Sequence, residues 1–156
     1  MNQPPCEIRR ISADETLPLR SDILRPGRPL EAAKFAGDEA ESTTHLGALV
    51  DGKIVGIASL FSAGMPEKPG LNALQLRGMA TAENVRDLGV GRALVAACVE
   101  AARKSGAELL WCNARTSAVG FYLKCGFKVE GNEFDIPDVG PHFRMHVRIP
   151  SDRSKA

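Results

Sequence analysis

A turn of small residues between an alternating apolar segment and an amphipathic one constrains this chain most. Leu74-Gln-Leu-Arg-Gly-Met-Ala80 reads as a strand. Arg92-Ala-Leu-Val-Ala-Ala-Cys-Val-Glu-Ala-Ala102 reads as a helix with Leu94, Cys98, Ala101 and Ala102 on one face. Between them stands Arg86-Asp-Leu-Gly-Val-Gly91. A strand that turns through glycines into a helix points free backbone N–H groups at one spot, and the helix N-terminus adds partial positive charge there. Such a spot binds phosphate. An α/β fold with a pyrophosphate-bearing cofactor is therefore expected.

The flanking segments extend this frame. Glu7–Ile11 alternates as a first strand, and Thr16 is a candidate cap for a short helix through Leu24, stopped by Pro26 and Gly27. Residues 26–43 read as polar loop with a helical turn at 30–35. Two strands, 45–50 and 53–60, flank Asp51-Gly52, a hairpin signal because glycine takes positive φ cheaply. The run 64–70 is a loop by its Pro and Gly. Residues 108–114 form a strand whose apolar run suggests burial on both faces. A short helix over 117–125 has Ser117 as candidate cap and Gly126 just beyond its end. Strands at 128–136 and 142–149 follow. The order β–α–loop–β–β–β–α–β–α–β–β predicts a central mixed sheet with helices on both faces, in one domain over residues 1–149 with a tail at 150–156.

A chain of 156 residues with 44% hydrophobic and 25% charged residues buries a normal core. Its net charge of +1 makes no electrostatic case for nucleic acid or membrane partners. The opening Met1–Glu7 lacks the basic and apolar regions of a signal peptide, and no apolar run suggests a membrane helix. Cys6, Cys98, Cys112 and Cys125 form no CxxC pair, so no metal site is expected, and reduced thiols in a cytoplasmic protein are the simple reading. Oligomeric state is not readable.

The cofactor narrows by pattern. No GxxxxGK[ST] string occurs, and Gly89-Val-Gly91 lacks the third glycine of a dinucleotide fingerprint. The string R-x-x-G-x-G followed by Phe121-Tyr-Leu-Lys-Cys-Gly-Phe127 resembles the GCN5-related N-acetyltransferases, which use acetyl-CoA. Blocks at Ile23–Pro26, His45–Gly47, Gln75–Thr81, Leu110–Ser117 and Val139–His142 are similar to the glyphosate N-acetyltransferase group within that family. The segments 31–44 and 65–72 do not match it clearly.

The resemblance implies a GNAT-like acyl-CoA N-acyltransferase fold. It implies that Arg86, Asp87, Leu88, Gly89, Val90, Gly91 and Arg92 cradle the CoA pyrophosphate. Met79, Ala80 and Thr81 would pair with pantetheine as an added strand does, and Asn113 would help hold the cofactor. Arg25, Arg77 and Arg115 would bind an anionic acceptor, His142 would be the general base, and Tyr122 would protonate the departing thiolate.

The residues themselves leave alternatives open. An arginine emerging from a core strand needs a partner, either a ligand carboxylate or phosphonate or an internal Asp or Glu. Arg25 precedes a proline and is equally readable as a solvated loop charge. His142 is readable as a base or a structural histidine, with His146 its rival on the same strand face. His45 is a pocket hydrogen-bonder or plain packing. Tyr122 is an acid or a core ring with a satisfied hydroxyl. Cys112 and Cys125 lie in apolar runs, which favours inert packing over nucleophilic attack. The expected reaction is direct acetyl transfer from acetyl-CoA to a small anionic amine. Its rivals are an ordinary amino acid or a protein N-terminus as acceptor, and a CoA-binding module without turnover.

Overall fold

The computed structural model describes residues 6–150, so the expected tail from 151 onward and the opening residues 1–5 lie outside the described residues. Seven strands follow the expected alternation: β1 (Glu7–Ile11), β2 (Thr44–Val50), β3 (Lys53–Ser62), β4 (Ala73–Thr81), β5 (Leu109–Arg115), β6 (Lys128–Ile136) and β7 (Gly140–Arg148). The helices are α1 (Ala13–Leu19), α2 (Val90–Lys104) and α3 (Val119–Lys124). The strands hydrogen-bond in the order β1-β2-β3-β4-β5-β7-β6. The β4–β5 pair is parallel, whereas β1–β2, β2–β3, β5–β7 and β6–β7 are antiparallel, so the sheet is mixed.

Contacts divide the chain into two compact units: the described residues of Met1–Phe61 with Leu76–Cys98, and those of Ser62–Gln75 with Val99–Ala156. In the first unit, Asp51 and Gly52 both adopt positive φ (50° and 78°), the mirror-image turn that matches strand twist in a two-residue hairpin. Successive β3 residues face opposite sides. A Cβ placed on Gly56 would sit 2.8 Å from Leu94 and 3.1 Å from Val90, so α2 covers that face closely. Ile57 instead clusters with Ile11 and Ala80, against Leu19, Ile23 and Leu24. Helical segments therefore cover both faces of this part of the sheet, as the sequence predicted.

The first helix starts four residues earlier than Thr16 suggested. Ser12 is its cap: its side chain accepts from Glu15 N–H while the Glu15 carboxylate accepts from Ser12 N–H, a complete capping box. Thr16 instead bonds back to the Ala13 carbonyl at 2.6 Å. Regular α-helix ends at Leu19, and a π-helical turn carries Arg20–Leu24, turning the whole Arg20 side chain into the interior.

Gly78 sits inside β4 with φ +65°, a conformation that side chains resist. A Cβ there would lie 3.0 Å from Arg20 Nε and 3.2 Å from Phe35 Cε2. Gly78→Ala is expected to destabilise the protein by about 2–5 kcal/mol, the summed cost of left-handed backbone and overpacking. A urea midpoint equal to wild type would refute that.

In the second unit, Met65, Ala73, Leu109 and Trp111 form a core with Ala63 and Leu71. Only the first four residues of β5 are buried on both faces; from Asn113 onward exposure alternates, because polar side chains then occupy one face. Ser117 makes no capping bond. A 3-10 turn (Thr116–Ala118) leads into α3 instead. That helix ends in a Schellman arrangement, with Gly126 N–H on Leu123 O and Phe127 N–H on Tyr122 O, both 3.0 Å.

Candidate functional site

Two chemically loaded regions stand out, one in each unit, together with the loop ahead of α2. In that loop Asp87 (φ 65°) and Gly89 (φ 88°) turn the chain, and residues 86–89 are exposed. Arg86 N–H and Leu88 N–H close turns on Glu83 O and Val85 O, each at 3.3 Å. The first bond of the helix runs from Ala93 N–H to Gly89 O at 3.0 Å. Among the described residues the N–H groups of Gly89, Val90 and Gly91 have no backbone acceptor, at the N-terminus of a 15-residue helix. That is the donor set a pyrophosphate needs. The six-residue motif thus divides its labour: Arg86–Leu88 shape the turn, and Gly89–Gly91 present the amides. Further back, β4 pairs with β5 only over Ala73↔Leu109, Leu74↔Leu110 and Gln75↔Trp111, and Met79–Thr81 follow that stretch.

The first region centres on Phe35. Arg77 lies over its ring at 4.5 Å and over the Phe61 ring at 5.0 Å. Arg25, whose Nη1 donates to Leu24 O, is 5.8 Å from the same Phe35 ring. Arg77 is half-buried, and among the described residues its guanidinium has no carboxylate or hydrogen-bond partner. Burial above all, then the neighbouring Arg20 charge, pushes its pKa below the usual arginine value, with Asp38 opposing; a guanidinium still stays charged near neutrality. The internal salt bridge weighed for Arg77 is therefore not made.

Arg20 makes such a bridge instead. Its Nη1 and Nη2 grip the Asp38 carboxylate at 2.7 and 2.9 Å, Nη1 also donates to Ala33 O, and Nη2 to Ser59 Oγ at 3.0 Å. His45 closes the circuit, with Nδ1 2.6 Å from Ser59 Oγ and Nε2 2.9 Å from the Asp38 carbonyl. A carbonyl only accepts, so Nε2 carries the proton and the Ser59 hydroxyl donates to Nδ1. His45 is thus a structural hydrogen-bonder. Burial would raise the Asp38 pKa, but bonds from Arg20 and from Phe35 N–H, with the charge of Arg20, hold it below the ordinary carboxylate value.

The second region is one face of β5, β7 and β6. Register places Arg115 opposite His142, Asn113 opposite Arg144 and Trp111 opposite His146, and directly opposed residues share a face. His142 is 4% exposed, and its Nδ1 lies 2.7 Å from Gly140 O. The carbonyl again requires Nδ1–H, which leaves the lone pair of the neutral ring on Nε2. Gly140 takes φ +118° to aim that carbonyl, which explains glycine in Gly-Pro-His physically.

Arg144, absent from the sequence-level expectations, pairs with Glu67 at 3.0 Å, donates to Asn113 Oδ1 at 2.9 Å and lies 5.3 Å from both the Trp111 and Phe134 rings. Because guanidinium only donates, Asn113 must turn Oδ1 toward it, which orients Nδ2 as a donor elsewhere. His146, the rival base, has Nε2 engaged by Glu130 at 3.2 Å. Tyr122 is 6% exposed, wedged between Phe121 and Phe127 with ring centroids 5.1 and 5.3 Å away. The Cys112 and Cys98 thiols are both pushed up to about 12 by burial, which removes them as nucleophiles at neutral pH.

The missed residues left partial traces. Arg144 lies between His142 and His146 at period two along β7, a polar stripe that places it on the face of the two named histidines. Arg20 stands in the run Leu17-Pro-Leu-Arg-Ser-Asp-Ile-Leu24, a cation in a mostly apolar stretch. Nothing local marks Asp38 as its partner, since 18 residues separate them.

Three comparisons bear on this arrangement. Residues 8–127 match the family model of the acetyltransferase (GNAT) family. An uncharacterized N-acetyltransferase of Bacillus subtilis, YitI, is 38% identical over 147 residues, spanning 94% of this chain and 99% of that protein. The crystal structure of an aminoglycoside 6'-N-acetyltransferase complexed with coenzyme A superposes with a TM-score of 0.76 at 13% identity, covering 92% of this chain and 97% of that one. The ribosomal-protein-S18-alanine N-acetyltransferase of Escherichia coli gives 0.70 at 18%, over 92% and 93%. Those two enzymes differ in acceptor while sharing the fold, so fold alone does not choose the acceptor. With the matched family model, the full-length relative and the amide-lined turn ahead of α2 together, the chain belongs to the GNAT family and is an acetyl-CoA-dependent N-acetyltransferase.

Proposed function

We propose that the acceptor is a small amine bearing a carboxylate or phosphonate, in line with the resemblance to the glyphosate N-acetyltransferase group. One observation carries this reading: Arg77 is half-buried against two aromatic rings and lacks an anionic partner among the described residues. A guanidinium so placed favours a ligand that supplies the missing charge, and its planar fork suits bidentate oxygen anions. Arg25 and Arg115 are the further anion contacts.

Gly89, Val90 and Gly91 would hold the CoA pyrophosphate through their amides, with Arg86, Asp87, Leu88 and Arg92 framing the turn. Met79, Ala80 and Thr81 would pair with the pantetheine arm, and Asn113 would donate to the cofactor through Nδ2. Acetyl-CoA supplies an activated acetyl group as a thioester. Nε2 of His142 removes a proton from the substrate ammonium, which frees the nitrogen lone pair. The nitrogen attacks the thioester carbonyl, the C–S bond breaks, Tyr122 gives its phenolic proton to the departing thiolate, and the second proton shed by the new amide nitrogen restores the Tyr122 phenol. No covalent enzyme intermediate is needed, because positioning the two reactants supplies much of the rate. We place the enzyme in the cytoplasm on its four free cysteines; no helix among the described residues is long and apolar enough to cross a membrane.

A thiol-release assay with acetyl-CoA and a panel of aminophosphonates, amino acids, polyamines and peptide amines tests the acceptor class. Turnover of the anionic amines is expected, and Arg77→Ala should raise their KM about 10- to 100-fold, the worth of one charge-assisted pair. The KM for acetyl-CoA should not move. Transfer confined to cationic or peptide amines would sink the proposal.

A further inference from the structure

Arg20 takes no part in the chemistry above, yet it is a fully buried charge whose guanidinium makes four hydrogen bonds. Its contacts tie down the segment 33–38 at both ends. Nη1 holds the Ala33 carbonyl, and the Asp38 carboxylate that Arg20 grips also accepts Phe35 N–H at 2.9 Å. The Phe35 ring between those ties rests on the Arg20 guanidinium at 3.9 Å and carries Arg77 at 4.5 Å. The backbone next to Arg77 leans on the same group, since a Cβ on Gly78 would lie 3.0 Å from Arg20 Nε. Ser59 and His45 close the circuit from β3 and β2, so the anchor is rigid framework rather than loop.

We propose that Arg20 and Asp38 are positioning residues, which fix Phe35 and through its ring hold Arg77 in the orientation that receives the acceptor's anion. The inference rests on the reading of Arg77 as that anion's seat. A long arginine side chain loses rotamer freedom when it binds. One already pinned over a ring has lost that freedom on folding, and the ligand binds more tightly for it.

Steady-state kinetics on Asp38→Asn, Phe35→Leu and the double variant test it, with thermal unfolding recorded in parallel. Phe35→Leu removes the ring and leaves the Arg20–Asp38 pair intact. It should raise the KM for an anionic acceptor about tenfold while kcat and the KM for acetyl-CoA stay at wild-type values. Asp38→Asn should raise the same KM, and the double variant should exceed neither single one by more than about twofold, since both act through one contact. A merely structural role would lower kcat with the folded fraction and leave both KM values alone. An acceptor KM unchanged in Phe35→Leu overturns the inference, whether or not Asp38→Asn folds. Arg77→Ala separates the two ideas: if it too leaves that KM unchanged, the seat itself is wrong. If it raises KM while Phe35→Leu does not, only the brace is wrong.

Discussion

His142→Ala is expected to lower kcat by about 10²- to 10⁴-fold, the usual worth of a positioned general base. The geometry makes the expectation specific. Nδ1–H is held by the Gly140 carbonyl at 2.7 Å, so Nε2 alone is free to take the proton. An ammonium cannot attack a thioester, so without the base the reaction draws on the small fraction of amine already unprotonated. The deficit should therefore shrink as pH rises toward the pKa of the amine itself, which a loss of folding would not produce. His146→Ala serves as the comparison, because its Nε2 is engaged by Glu130. A kcat profile of His142→Ala that overlays wild type from pH 6 to 9 would remove the base assignment.

Arg20→Ala is expected to cost about 3–5 kcal/mol of folding stability, as breaking a buried ion pair does when one charge is left behind. Asp38, its side chain 9% exposed, would then be a carboxylate without its guanidinium, and Ser59 Oγ and Ala33 O would each lose a donor. For a protein of this size that corresponds to a fall of roughly 6–20 °C in Tm. A pH signature accompanies it. The Asp38 pKa is lowered in the folded state, so its contribution to stability is present above the unfolded value, taken as 3.8, and is lost as pH falls through the lower folded value. Wild type should lose that part of its stability in strong acid, whereas Arg20→Ala should already lack it at neutral pH. Equal Tm values for the two proteins at pH 7 would contradict the buried-pair argument.

The hairpin at Asp51-Gly52, the helix after Gly91 and the β6–β7 pair were legible because each depends on residues adjacent in sequence. The first helix cap was misplaced because Thr16 and Ser12 both qualify, and the Ser12–Glu15 pair decides only when its two bonds are counted together. β5 was read as buried throughout because its apolar run masks the alternation of Trp111, Asn113 and Arg115. That alternation becomes visible once β7 sets His146, Arg144 and His142 opposite them.

Sequence alone determined the α/β alternation and the amide-lined turn before α2, since backbone geometry near glycines and helix ends is local; the cofactor followed from the resemblance to the GCN5-related N-acetyltransferases that the motifs around that turn carry. It also singled out Arg77 and His142 as residue types able to bind an anion and take a proton. Only the tertiary structure decided which arginine is paired with a carboxylate and which is not. Arg20 and Arg77 look alike along the chain, yet Arg20 meets Asp38 from a distant loop, and Arg77, with no carboxylate among the described residues to pair it, lies over the rings of Phe35 and Phe61. The tautomer of His142 likewise rests on one carbonyl that a positive-φ glycine aims at it. Whether a charged side chain is free or neutralised depends on distances of a few ångströms between residues far apart in sequence, and the packed fold sets those distances.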